Sequence, residues 1–143
     1  MKAIKKFIIG SNYFFSEYSD YKSKDIDILY IMDRLFDNKR SFNTKIKNKD
    51  IFLYPNFTKE EFISLDLNSN VPMRLGKYLI PKFAKYINLT IEDLKKLKVL
   101  VDNLDENHLY EKIIYESYIE NSDFYLTKEQ KNKAYVLYIK TKI

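Results

Sequence analysis

An apolar run that stops at a glycine, followed thirteen residues later by two acids, restricts this chain more than any other feature. The run is Phe7-Ile8-Ile9-Gly10-Ser11, and the acids open the stretch Asp25-Ile26-Asp27-Ile28-Leu29. The first reads as a strand ending in a tight turn, the second as a strand that begins on acid. Side chains alternate across a strand, so Asp25 and Asp27 share one face, and Ile26 and Ile28 are expected to point into the core. Two carboxylates on one face repel unless a cation lies between them. Hard divalent cations prefer oxygen ligands. A Gly-Ser turn with free backbone N–H groups suits a phosphate. Together these parts imply a metal–nucleotide site.

Length and composition set the outer limits. With 143 residues, the chain fits one domain, or a small domain with a helical appendage. Its 45% apolar content supports a packed core and excludes a disordered chain. Cysteine is absent, which excludes a disulfide framework, a thiolate metal site and a Cys nucleophile. The single His108 excludes a multi-His zinc cluster within one chain. No apolar run approaches a membrane span, and residues 1–7 carry no secretion signal, so a cytoplasmic protein without a membrane is expected. The formal charge of +5 comes mostly from Lys and fits codon bias better than a basic nucleic-acid arm.

In chain order, Lys2 to Ile9 is the first predicted strand. Asn12 to Tyr18 follows as a short helix, whose N-terminus adds partial positive charge beside the turn. Ser19 to Lys24 is a polar loop, and Asp25 to Met32 the second strand. Asp33 to Arg40 is a polar connection, Phe42 to Asn48 is compatible with a strand, and Lys49 to Tyr54 reads as one. Thr58 and Glu61 form a capping-box pattern. Arg74 to Ile87 reads as a helix kinked near Pro81. Thr90, with Asp93 three residues on, caps a further helix carrying Leu94, Leu97, Val101 and Leu104. Leu109 to Ile119 continues the helical pattern, and Thr127 caps a last helix with Ala134, Val136, Leu137 and Ile139. The expectation is an α+β fold: a small mixed β-sheet over residues 1–70 and a helical bundle or layer over 71–143, packed as one compact unit with a seam near Asn68 to Pro72.

Ile9-Gly10-Ser11 and Asp25-Ile26-Asp27, each on an apolar strand and correctly spaced, resemble the nucleotidyltransferase superfamily of DNA polymerase β-like fold, in its small minimal-nucleotidyltransferase form. Ser23-Lys24-Asp25 resembles that family's lead-in to its paired acids. Where many relatives have a further Gly and an Arg, this chain has Tyr13-Phe14-Phe15. The resemblance implies Mg²⁺-dependent transfer of a nucleotide from ATP or another NTP to a hydroxyl. Two Mg²⁺ ions would be held by Asp25, Asp27 and a third carboxylate, for which Asp50 fits best and Asp66 is the fallback. It implies that Gly10 and Ser11 bind the phosphates, with Lys24 and Lys22 placed to balance their charge.

The acceptor stays open between a small molecule, an RNA end and a protein side chain. Family members of this size also occur as toxin–antitoxin components with a helical partner. A second reading is a catalytically inactive binding or inhibitor protein on the same scaffold, encoded by a phage or mobile element and acting through its Tyr-rich helical half. A third, resting on charge alone, is a nucleic-acid binder. His108 is expected at the surface. The many Tyr of the helical half are expected to pack in a core with their hydroxyls reaching water.

Overall fold

The computed structural model describes residues 2–22, 25–33, 42–56, 58–60, 62–63, 79–104 and 108–142. The expectations for Asp33 to Arg40, for Glu61 and for Asn68 to Pro72 fall wholly or largely outside them. The chain divides into two compact units, Met1–Phe57 and Thr58–Ile143.

The first unit holds β1 (Ala3–Ile8), α1 (Gly10–Phe15), β2 (Ile26–Met32), β3 (Phe42–Ile46) and β4 (Lys49–Pro55). They form a four-stranded sheet in the order β1-β2-β4-β3. β1 runs antiparallel to β2, β2 parallel to β4, and β3 antiparallel to β4, so the expected mixed sheet is present. β3 and β4 are joined by Lys47-Asn48, with Ile46 opposite Lys49. Lys47 takes φ 56°, the positive value that suits a two-residue hairpin loop to the twist of its strands.

The acid-bearing face of β2 differs from expectation. Asp27, Leu29 and Ile31 share one face, and Leu29 and Ile31 are fully buried. Ile28 is buried on the opposite face, while Ile26 and Tyr30 are half-buried. β2 is therefore apolar on both sides, as a central strand must be. The acids stand at one end of its more buried face, not on a solvent face. The same face continues on β4 through Asp50, Phe52 and the buried Tyr54. α1 packs on β2 and buries Phe14 and Phe15. It begins at Gly10 and ends at Phe15, earlier than the expected Asn12 to Tyr18, because Ile9 already takes the extended N-cap conformation.

The second unit holds α2 (Pro81–Tyr86), α3 (Ile91–Lys95), α4 (Lys98–Asp102), α5 (Leu109–Asn121) and α6 (Lys128–Lys142). Pro81 starts α2 rather than kinking a longer helix; Ile80 is the N-cap, and a missing N–H costs nothing in a first turn. Thr90 and Asp93 form a complete capping box. Thr127 and Gln130 do the same at α6: the Gln130 N–H donates to Thr127 Oγ1 (3.1 Å), and the Thr127 N–H to Gln130 Oε1 (2.9 Å). Leu94, Leu97 and Val101 are buried as expected, although the helix breaks between α3 and α4. α5 packs against α3, α4 and α6.

The tyrosines need a correction. Tyr115 and Tyr118 are buried, and their hydroxyls donate to the carbonyls of Leu94 and Leu79, both at 2.7 Å, rather than reaching water. Burial, with the charges of Asp102 and Glu116, pushes the Tyr115 phenol up to about 12. On α6 Tyr135 and Tyr138 are buried where Val136 was expected; Val136 is half exposed. His108 is also not a free surface residue. It lies part-buried at the N-cap of α5, its Nδ1 3.2 Å from Glu111 Oε2. Burial pushes the Glu111 carboxyl up, and the nearby His108 partly offsets this. Among the described residues no helix is long and apolar enough to cross a membrane.

Candidate functional site

Gly10 is one of only two glycines in the chain, and its position explains why. Its φ is +66°, in the left-handed region that side chains disfavour. A Cβ placed on it would lie 3.0 Å from Asp27 Oδ2. The Asp27 carboxylate therefore lies in the space that a side chain at Gly10 would need. Two hydrogen bonds fix this approach: the Ile9 N–H donates to the Asp27 carbonyl (3.1 Å), and the Asp27 N–H to Asn12 Oδ1 (3.0 Å). Ser11 is buried beside them, its hydroxyl 3.1 Å from that of Tyr21. The Tyr13-Phe14-Phe15 segment serves packing: Phe14 and Phe15 are buried, and Tyr13 meets Phe14 edge-on at 5.0 Å between ring centres.

The acids are brought together by strand register. Asp27 of β2 is the parallel partner of Asp50 of β4, so their side chains stand on one face of neighbouring strands, about 4.8 Å apart along the hydrogen-bonding direction. Asp50 is in turn the antiparallel partner of Lys45 on β3. Asp25 lies just before β2, and its Oδ2 accepts a hydrogen bond from Lys45 Nζ at 3.0 Å. That bond and the Asp25 charge, with Asp50 adding to them, hold the Lys45 ammonium above its ordinary range. The result is a row of alternating origin but mixed charge across three strands: Asp25 and Asp27, then Asp50, then Lys45. Among the described residues, no three carboxylate or imidazole side chains are close enough to hold one metal ion together. Asp25 is turned toward the ammonium instead.

Two observations bear on whether a divalent cation suits this row. The missing Cβ of Gly10 makes room for the Asp27 carboxylate. The Lys45 ammonium already stands in for a cation on Asp25. The donors are all carboxylate oxygens, the type that Mg²⁺ accepts. As they stand, however, the Asp25, Asp27 and Asp50 side chains do not converge on one ion.

Of the residues expected at the site, Gly10, Ser11, Asp25, Asp27 and Asp50 are brought together by the turn and by strand pairing. Lys24 and Asp66 lie outside the described residues. Lys22 is exposed, and His108 belongs to the other unit. Sequence reasoning missed Asn12, Tyr21 and Lys45. Lys45 carried a readable signal: a two-residue loop at Lys47-Asn48 pairs Ile46 with Lys49, which sets Lys45 opposite Asp50. Asn12 gave none, because a side-chain acceptor for a distant N–H has no local pattern.

No family model, curated protein or solved structure matches the chain. The residues themselves carry the functional reading.

Proposed function

We propose that this chain is an Mg²⁺-dependent nucleotidyltransferase, moving the nucleotidyl group of an NTP to a hydroxyl of a small molecule, an RNA end or a protein. The observation that carries this reading is the contact between Gly10 and Asp27, which sets a close-approach turn directly against the paired acids. A phosphate bound at the turn would lie beside Asp27, so a cation between the two is needed to offset their like charge. Asn12 holds the turn to β2, and Ser11, oriented by Tyr21, offers a hydroxyl beside it. To hold the cation, Asp25, Asp27 and Asp50 would have to converge from their present positions; the ion, when bound, would neutralise phosphate charge and acidify the acceptor hydroxyl. The protein's own share is positioning and fixed charge, the two terms that dominate this chemistry.

The test is incubation with each labelled NTP, Mg²⁺ and candidate acceptors, following pyrophosphate release and label transfer. The Asp25→Ala/Asp27→Ala double variant is expected to lose about 10³-fold or more of the release rate. Release that is absent with every NTP, or unchanged in the double variant, rejects the enzyme.

A second reading is a catalytically inactive protein of the same architecture that binds a protein or nucleic-acid partner. The Lys45–Asp25 ion pair favours it, because the acids there already have a cation supplied by the chain. A cellular effect that survives the double substitution supports this reading over the first.

A further inference from the structure

The start of α5 holds a carboxylate where solvent does not reach it. Glu111 stands in the first turn of this helix and is 2% exposed. Its Oε2 lies 3.2 Å from Nδ1 of His108, the N-cap residue, and both atoms are sealed from water. An oxygen and an imidazole nitrogen this close need a proton between them, because two lone pairs would otherwise oppose each other. A neutral imidazole beside an ionised carboxylate leaves the pair with one net negative charge. One further proton leaves it with none, whether the product is an internal ion pair or two neutral groups. Unbalanced charge away from water is costly, so the enclosure favours the extra proton. The same turn ties α5 to α6: Tyr110 is buried and meets Tyr138 edge-on at 5.3 Å between ring centres, with Tyr135 stacked on Tyr138. α3 and α4 present Lys95, Lys98 and Asp102, which border a cleft with Lys112 and Glu116 of α5. Burial is the first influence on the Glu111 carboxyl and raises it; His108, Tyr110 and its own backbone oppose that.

We propose that the His108–Glu111 pair is a proton-operated latch on α5: with the extra proton it seats the first turn of the helix against α6, and without it that turn opens and frees Tyr110 and Tyr138. The Glu111 carboxyl is raised on folding, so the folded chain holds its proton more tightly than the unfolded one. The stabilisation is complete below the ordinary value of 4.5 and is lost as pH rises through the folded value. Acid therefore tightens this turn and base loosens it. Asp93 acts in the opposite sense and at lower pH, since its carboxyl titrates between 3.8 and about 2. The helix N-terminus and His108 both favour the ionised carboxylate, and so limit how far enclosure can hold the proton. The latch belongs to the helical unit and does not depend on the cation–nucleotide reading of the sheet.

The test is amide hydrogen exchange on the full chain, corrected for the intrinsic pH dependence of exchange, for wild type and Glu111→Gln. The amides to follow are those of Ile113 and Ile114, which close the first turns of α5 onto Leu109 and Tyr110. Wild-type protection there should fall about tenfold between roughly pH 5 and pH 8. Glu111→Gln keeps the shape of the acid without titrating, so its protection should stay within about twofold over the same range. Protection that is constant or rises with pH in wild type, or that falls equally in Glu111→Gln, overturns the latch. A second measurement needs no variant: the carboxyl carbon of Glu111, followed by nuclear magnetic resonance, should titrate above 4.5 and in step with the loss of protection. A carboxyl that titrates at its ordinary value, or over a range where Ile113 and Ile114 stay equally protected, overturns the latch even if Glu111→Gln does not fold.

Discussion

Two carboxylate settings, one in each unit, differ in how their charge is matched. Asp93 of the helical unit is nearly buried and surrounded by donors. Thr90 gives it both its N–H (3.0 Å) and its hydroxyl (2.8 Å), and Lys59 approaches to 2.9 Å. Burial alone would raise its carboxyl; the Lys59 and Thr90 hydrogen bonds outweigh that and bring it down to about 2. In the sheet unit, Asp27 and Asp50 stand side by side on adjacent strands with Asp25 close by in sequence, an arrangement in which like charges repel. The first setting satisfies charge within one helix turn and one neighbouring lysine. The second sets paired acids and one exposed lysine beside a turn at positive φ, where the missing Cβ makes room for Asp27.

The contrast can be attacked by substitution. The largest effect on stability is expected from Gly10→Ala, which meets both the +66° backbone and the Asp27 carboxylate. It should cost about 2 kcal/mol in denaturant unfolding. Adding Asp27→Ala should recover only part of that loss, since the backbone strain persists. Next comes Asp93→Asn, expected to cost about 1–2 kcal/mol through the weakened cap and the lost charged hydrogen bond. The pH dependence of this term has a definite sign. The carboxyl is depressed from its ordinary value of 3.8 to about 2, so its stabilisation is complete above pH 3.8 and fades as pH falls toward 2. Thermal unfolding of wild type against Asp93→Asn between those values should converge as the solution is acidified. The smallest change is expected from Asp50→Asn, within about 0.5 kcal/mol of wild type at neutral pH. A cost for Asp50→Asn equal to that for Asp93→Asn would erase the distinction between the two settings.

Local chemistry was what the sequence made legible. The boundaries of β1, β2 and β4 follow from apolar runs and from the turn residues beside them. The Thr90 and Thr127 caps follow from a hydroxyl three residues ahead of an acid or amide. The opposition of Gly10 and Asp27 was readable from two motifs at known spacing. What failed needed three-dimensional information. Leu29 and Ile28 are both buried, so alternation on β2 could not say which face lay inside, and the acids fell on the more buried side. The Tyr115 and Tyr118 hydroxyls turned inward because carbonyls at the ends of other segments stood within reach. Glu111 looks like any helix-surface acid until it is seen beside His108. The Lys45–Asp25 pair joins side chains twenty positions apart and depends on β4 lying between their strands.

The pairing of β4 with β2 has a consequence for how the molecule assembles. Lys45 and Asp50 meet within a hairpin closed by two residues, an event that needs only nearby chain. Asp27 joins them only when that hairpin docks lengthwise on β2, a non-local step of the kind that sets the pace of folding. Until the hairpin is seated, the acids exist but the row does not. Any ligand that bound across β2 and β4 would therefore stabilise the seated sheet alone, and its presence during refolding would shift the equilibrium toward that docked state.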